Sequence, residues 1–230
     1  MYDYNNPHPF RVQYQSVMEM PKQFDNLNSK VVDDLKITLK QSSKVSIAAA
    51  SFSIYAYEAL KEELEAIEEL RFIFTSPTFC KERVSKEKRE FFIPKLSRER
   101  NLFGSDFEIK LRNQLSQKAI ARECADWIRR KASFKTNVSN GALNGFLSVA
   151  NDEGKYVYLP FNEFTTTELG CERGNNICPV SMRMPSPFAD KYLADFNELW
   201  NNSESFKDVT ETIIDNISTV YKENAPDFIY

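Results

Sequence analysis

The stretch Val45-Ser46-Ile47-Ala48-Ala49-Ala50 is a short apolar run, and Arg71-Phe72-Ile73-Phe74-Thr75 is a second one, closed by Ser76-Pro77. Between them Ala56, Leu60, Leu64 and Ile67 recur at helical spacing. Two short runs of this kind read as strands buried on both faces, and the apolar stripe between them as a crossover helix. A strand, a helix and a strand in this order predict parallel pairing with a right-handed connection, and therefore an α/β layer architecture. The alanines of the first run predict close packing against the sheet.

The same logic extends outward. Leu27, Val31, Val32, Leu35 and Leu39 predict an amphipathic helix over about 28–41, before the first strand. Ser105 followed by Glu108 is a capping-box signature, and it opens a long helix to about Ala132. The buried stripe of that helix is Phe107, Leu111, Leu115, Ile120, Cys124, Trp127 and Ile128. Strands are expected near 134–138, 146–151 and 155–160, with Asp152-Glu153-Gly154 as the hairpin turn between the last two. Ser186-Pro187 opens a helix faced by Phe188, Tyr192, Leu193, Phe196, Leu199 and Trp200. A final helix runs from Phe206 through Val209, Ile213, Ile217, Val220 and Tyr221 until Pro226 stops it. The expected organisation is a flexible entry over 1–25, an α/β domain over 26–185 and a helical extension over 186–230.

The chain has 230 residues and a formal net charge of −3, but its charge is unevenly placed. Lys81 to Lys135 holds sixteen basic and eight acidic residues, whereas Ser186 to Tyr230 holds three and nine. A basic middle suits a polyanion, although charges interleaved on helices also serve simply to solvate them. The cations that offer themselves to phosphates are Arg83, Lys88, Arg89, Arg129, Arg130, Lys131 and Lys135. Phe91, Phe92 and Phe134 are candidates to stack on bases or to fill the core.

Four cysteines (Cys80, Cys124, Cys171 and Cys178) form no C-x-x-C, and with one histidine, His8, they complete no zinc motif. Free thiols in a reducing cytoplasm are expected. The N-terminus lacks the pattern of a signal peptide, and no run of apolar residues is long enough to span a bilayer. No phosphate-cradling G-x-x-x-x-G-K-[ST] and no G-x-G-x-x-G is present. Asp152, Glu163, Glu168 and Glu172 are acids of the kind that hold metals in two-metal nucleases, but their spacing also suits solvated turns.

Lys44 to Phe79 resembles the first strand, helix and second strand of phospholipase D-like domains. Phe107–Asn113, Glu123–Arg129 and Phe164–Asn176 extend the likeness. Together they resemble the N-terminal phospholipase D-like region of large bacterial superfamily-two helicases, of the Swi/Snf or DEAD/DEAH-box kind. The ending Glu223–Tyr230 is similar to the point where that region runs on toward the motor. The resemblance implies a phospholipase D-like sheet flanked by helices with a helical C-terminal segment. It also implies DNA or RNA as partner, a helicase motor in cis and a homodimer as one possible arrangement. ATP and Mg would belong to that motor, and no cofactor is expected within these residues.

The active motif of that family, H-x-K-x-x-x-x-D, falls on Asn144, Phe146 and Asn151. A second element falls on Asn162, Thr165 and Glu168, with Glu163 where an asparagine would sit. Asparagine is no nucleophile toward phosphorus and phenylalanine carries no charge to meet a phosphate. One histidine in the whole chain precludes a two-histidine mechanism within it. The expectation is therefore a degenerate cleft in a catalytically inactive accessory module. A pure interaction module and a residual metal-dependent nuclease are the alternatives.

Overall fold

The computed structural model describes residues 19–75, 106–139, 141–174 and 180–222, with side chains from 117 onward in the long helix and up to 219 in the last one. The expected excursion over 80–104, with Arg83, Lys88, Arg89, Phe91 and Phe92, lies outside them. So do His8, Cys80, Cys178, the Ser105 cap and the chain end.

The molecule is a mixed α/β structure around one open sheet of eight strands. In chain order these are β1 (Lys22–Phe24), β2 (Lys44–Ala49), β3 (Glu69–Phe74), β4 (Ala132–Asn137), β5 (Phe146–Asn151), β6 (Gly154–Leu159), β7 (Ser181–Pro185) and β8 (Phe206–Asp208). Across the sheet the order is β1-β7-β6-β5-β2-β3-β4-β8. The β2–β3 pair is parallel, as the two apolar runs predict; β3–β4 is parallel too, and every other pair is antiparallel.

Side chains alternate across the sheet, which divides the core in two. Val45, Ile47 and Ala49 of β2 join Leu70, Phe72 and Phe74 of β3 and Phe134 of β4 on one face. That face is covered by α1 (Val31–Thr38), α2 (Ile54–Ala59), α3 (Lys61–Ala66), α4 (Asp106–Lys131) and α6 (Thr210–Lys222). Trp127 of α4 is fully buried there and donates its indole N–H to the Leu64 carbonyl at 2.9 Å. Phe52 stacks on Phe164 at 5.2 Å and meets Phe72 and Phe134 edge-on, so aromatic rings fill the centre. The other face has one described helix, α5 (Phe188–Asn201), which packs Ala189 and Phe196 onto Ala48, Ile73, Phe146 and Val157.

Three differences from the sequence expectation have local causes. The single helix expected across 56–67 is broken at Leu60, whose φ of −120° leaves the helical region; its N–H turns back to Tyr57. Phe206 opens no helix: it lies in β8, and Val138 donates its N–H to the Ser205 carbonyl just before it. The helix starts only at Thr210, whose amide is capped by Asp208 at 2.9 Å. The segment after Pro185 thus supplies an edge strand as well as helices. Residues 22–24 and 181–185, for which no strand is expected, pair with each other as β1 and β7.

The entrance to α1 shows how closely the chain is tied. Lys30 offers no side-chain cap. Asn26, at a φ of 53°, instead accepts from the Val31 amide and donates to the Glu168 carbonyl, while the Val32 amide bonds Leu169. The first free amides of the helix are thereby satisfied, one by the nearby Asn26 and one by a loop far along the chain.

Candidate functional site

In open sheets with parallel strands, ligands favour the carboxyl ends of those strands. Here that end of β2 is closed by the segment 161–165. The Ala50 amide bonds the Asn162 carbonyl at 2.7 Å, and Phe164 exchanges bonds with Ser51 and Ser53. Phe161 donates to the Gly145 carbonyl at 3.2 Å, and a side-chain carbon on Gly145 would run into the Phe161 carbonyl oxygen. Glycine is required at 145 by this approach of backbone to backbone.

The six positions of the expected cleft do not share one cavity wall. Asn144 is exposed just before β5. Phe146 is 5% exposed on the single-helix face, edge-on to Tyr192 at 5.2 Å and Phe196 at 6.1 Å. Asn151 stands at the far end of the same strand and on the other face. There its amide donates to the Thr38 carbonyl and Ser43 hydroxyl, and its carbonyl accepts from the Glu153 and Gly154 amides. It ties the β5–β6 turn to the end of α1. Asn162 is exposed, with its backbone N–H on Glu168 at 3.0 Å, and the Thr165 hydroxyl accepts from the Glu168 amide. Burial pushes the Glu168 carboxyl up, the Asn162 amide pulls it down and Glu163 pushes it up again, for a net rise. No group of three or more metal-ligating side chains gathers among the described residues.

The expected phosphate contacts are also divided. Arg129, Arg130 and Lys131 end α4, where cations suit the negative end of the helix. All three are engaged. Arg129 bonds Asp126 at 2.7 Å, Arg130 holds both Glu65 oxygens at 2.9 and 3.0 Å, and Lys131 bonds the Ile67 carbonyl. Lys135 lies on the opposite face, 2.6 Å from the Trp200 carbonyl and 4.9 Å from the centre of its ring. Phe134 is fully buried in the aromatic core and presents no ring to a base.

Lys135 has a companion that sequence reasoning passed over. Arg71 of β3 sits on the same face, its guanidinium 5.3 Å from the Phe196 ring and 5.7 Å from the Trp200 ring. It donates to the Ser46 hydroxyl at 3.3 Å, and its buried Nε has no acceptor. The signal was present in the sequence: a cation inside Arg71-Phe72-Ile73-Phe74, a run otherwise read as buried. No protein-family model matches the chain, and no curated protein matches it in sequence.

Proposed function

We propose that this chain is a catalytically inactive phospholipase D-like accessory module of a DNA helicase, contacting nucleic acid beside an ATP-dependent motor. The observation that carries the reading is Phe146. Where an active motif would set a lysine to meet phosphate, a buried ring is held by Tyr192 and Phe196. Hydrocarbon cannot stabilise the charge that concentrates on a phosphoryl group, so binding and placement are the roles left to this face. The full chain is expected to bind labelled DNA with an affinity that falls steeply between roughly 50 and 200 mM salt, without cutting it. An affinity indifferent to salt would refute phosphate contact. Cutting that is lost in Glu168→Ala would restore the nuclease alternative.

A second reading, a protein-interaction module docked on the motor, is favoured by one observation. Arg129, Arg130 and Lys131 already have partners within the chain, so the end of α4 is a weak phosphate clamp. Retention of the chain on an immobilised motor without nucleic acid, together with no DNA binding, would select this reading.

A further inference from the structure

We infer that Arg71 and Lys135 form a seat for phosphate-ester oxygens on the single-helix face, beside Trp200. The inference rests on the nucleic-acid reading for the source of the phosphate and names the contact that reading lacks. The two cations belong to neighbouring parallel strands and stand on one face: Ile73, two residues after Arg71, pairs with Lys135. Both charges lie within 6 Å of one indole ring. Among the described residues no carboxylate lies within 4 Å of either.

The acids nearest in register are committed elsewhere. Asp208, paired with Lys135 across β4 and β8, caps the Thr210 amide. Glu69, two residues before Arg71, lies 3.9 Å from Lys44. The ring faces and the carboxyl end of α5 ease the two like charges, and the Trp200 carbonyl takes one of the three protons of Lys135. They give Arg71 no acceptor. A guanidinium is a fork of five donors, and among the described residues this one has a single long bond to Ser46 and a buried Nε with none. Arg183 has an orphan Nε too, but two carboxylates meet its guanidinium, whereas among the described residues none meets Arg71. An anionic oxygen between the two groups would accept from the outer N–H groups of the guanidinium and from Lys135, and neutralise both cations. Ser148, fully buried beside Ser46 and bonded to its carbonyl at 3.2 Å, keeps the floor polar and narrow. Trp200 itself is no stacking platform for a base, because Phe196 already lies against it at 5.8 Å and 16°.

The test follows the two indole N–H signals of the full chain by nuclear magnetic resonance. Trp127, buried and bonded to Leu64, is the internal control. Titration with inorganic tripolyphosphate is expected to shift the Trp200 signal saturably and leave Trp127 in place. Binding of a labelled single-stranded oligodeoxynucleotide should weaken about tenfold in Arg71→Gln and in Lys135→Gln, with a salt dependence shallower by about one ion each. Arg71→Lys and Lys135→Arg keep the charge and guard against unfolding. Lys135→Arg should retain binding, and its failure to do so with an unchanged circular dichroism spectrum overturns the seat. An oligonucleotide bound equally by wild type and both glutamine variants overturns the seat but leaves the nucleic-acid reading standing. A Trp200 shift with tripolyphosphate in a chain that ignores the oligonucleotide keeps the seat and removes that reading. Silence of Trp200 toward both probes overturns the seat.

Discussion

Each face of the sheet carries a polar cluster, and the two are built on opposite plans. On the helix-rich face Asp34 is 3% exposed and receives Lys22 at 2.6 Å, both oxygens meeting Arg183, and the Tyr158 hydroxyl at 2.8 Å. Thr38 and Glu19 complete the network, and Arg183 lies over the Tyr156 ring at 4.7 Å. Burial pushes the Tyr158 hydroxyl well above its ordinary value, and Asp34 adds to the push, so it stays a donor. Charge is met by charge, and β1, β7, β6 and α1 are locked together. On the other face Arg71 and Lys135 face rings, a hydroxyl and a carbonyl, with no carboxylate within 4 Å among the described residues. In the first cluster the carboxylates of Asp34 and Glu19 meet the cations, although the Arg183 Nε has no acceptor, and it reads as structure. The second has an unmet electrostatic demand and reads as a place for a ligand.

The sharpest way to break the first cluster is Asp34→Ala. It removes the carboxylate that Lys22, Arg183 and the Tyr158 hydroxyl share, leaving Arg183 only Glu19 and the hydroxyl only Thr38, and a loss of about 3 kcal/mol is expected in urea unfolding. The corresponding change on the other face, Lys135→Met, removes a cation that has no acid to strand. It gives up the Trp200 hydrogen bond and a favourable charge at the end of α5, so about 1–2 kcal/mol is expected in the same measurement. Equal losses from the two variants would erase the distinction between the clusters.

Glu168 supplies the smallest effect and a sign. It is a part-buried carboxylate whose side chain has a backbone amide for a partner, and its folded pKa lies above the ordinary 4.5. The folded state therefore holds that proton more tightly than the unfolded chain. Stability from this group is present below the ordinary value and lost as pH rises through the raised one. Glu168→Gln keeps an acceptor for Asn162 and removes the titration. Its melting temperature should exceed that of the wild type at pH 7, with the gap closing toward pH 4. A gap that instead widens on acidification would reverse the assignment.

Most of the sheet's centre was legible. β2 and β3 are continuous apolar runs because both faces are buried, and the Asp152-Glu153-Gly154 turn announces β5 and β6. The edges were not. β1 and β8 have three residues each, too few for any period to show, and β7 (Ser-Met-Arg-Met-Pro) contains no β-branched residue. Phe206 matched a helical stripe and was claimed by strand pairing with β4 instead. For the site, spacing held more than was drawn from it. Asn144 and Phe146 are two apart in a strand, but Asn151 is five beyond Phe146, an odd step that sends it to the opposite face. Arg71 was hidden for a different reason. A cation in a buried run has no periodic signature, and only three-dimensional pairing brings Lys135 and Trp200 to it.

The Asp34 cluster also sets a timetable for synthesis. Asp34 and Arg183 are 149 residues apart in the chain. At ordinary ribosomal rates roughly 7–30 s pass between the appearance of the two. The parallel unit from β2 to β4 is complete well before Arg183 exists, whereas β1 has no strand to pair with until β7 emerges. During that interval the nascent chain carries an unpaired N-terminal strand and a solvated Asp34. On that side the sheet closes only after β7 has been made.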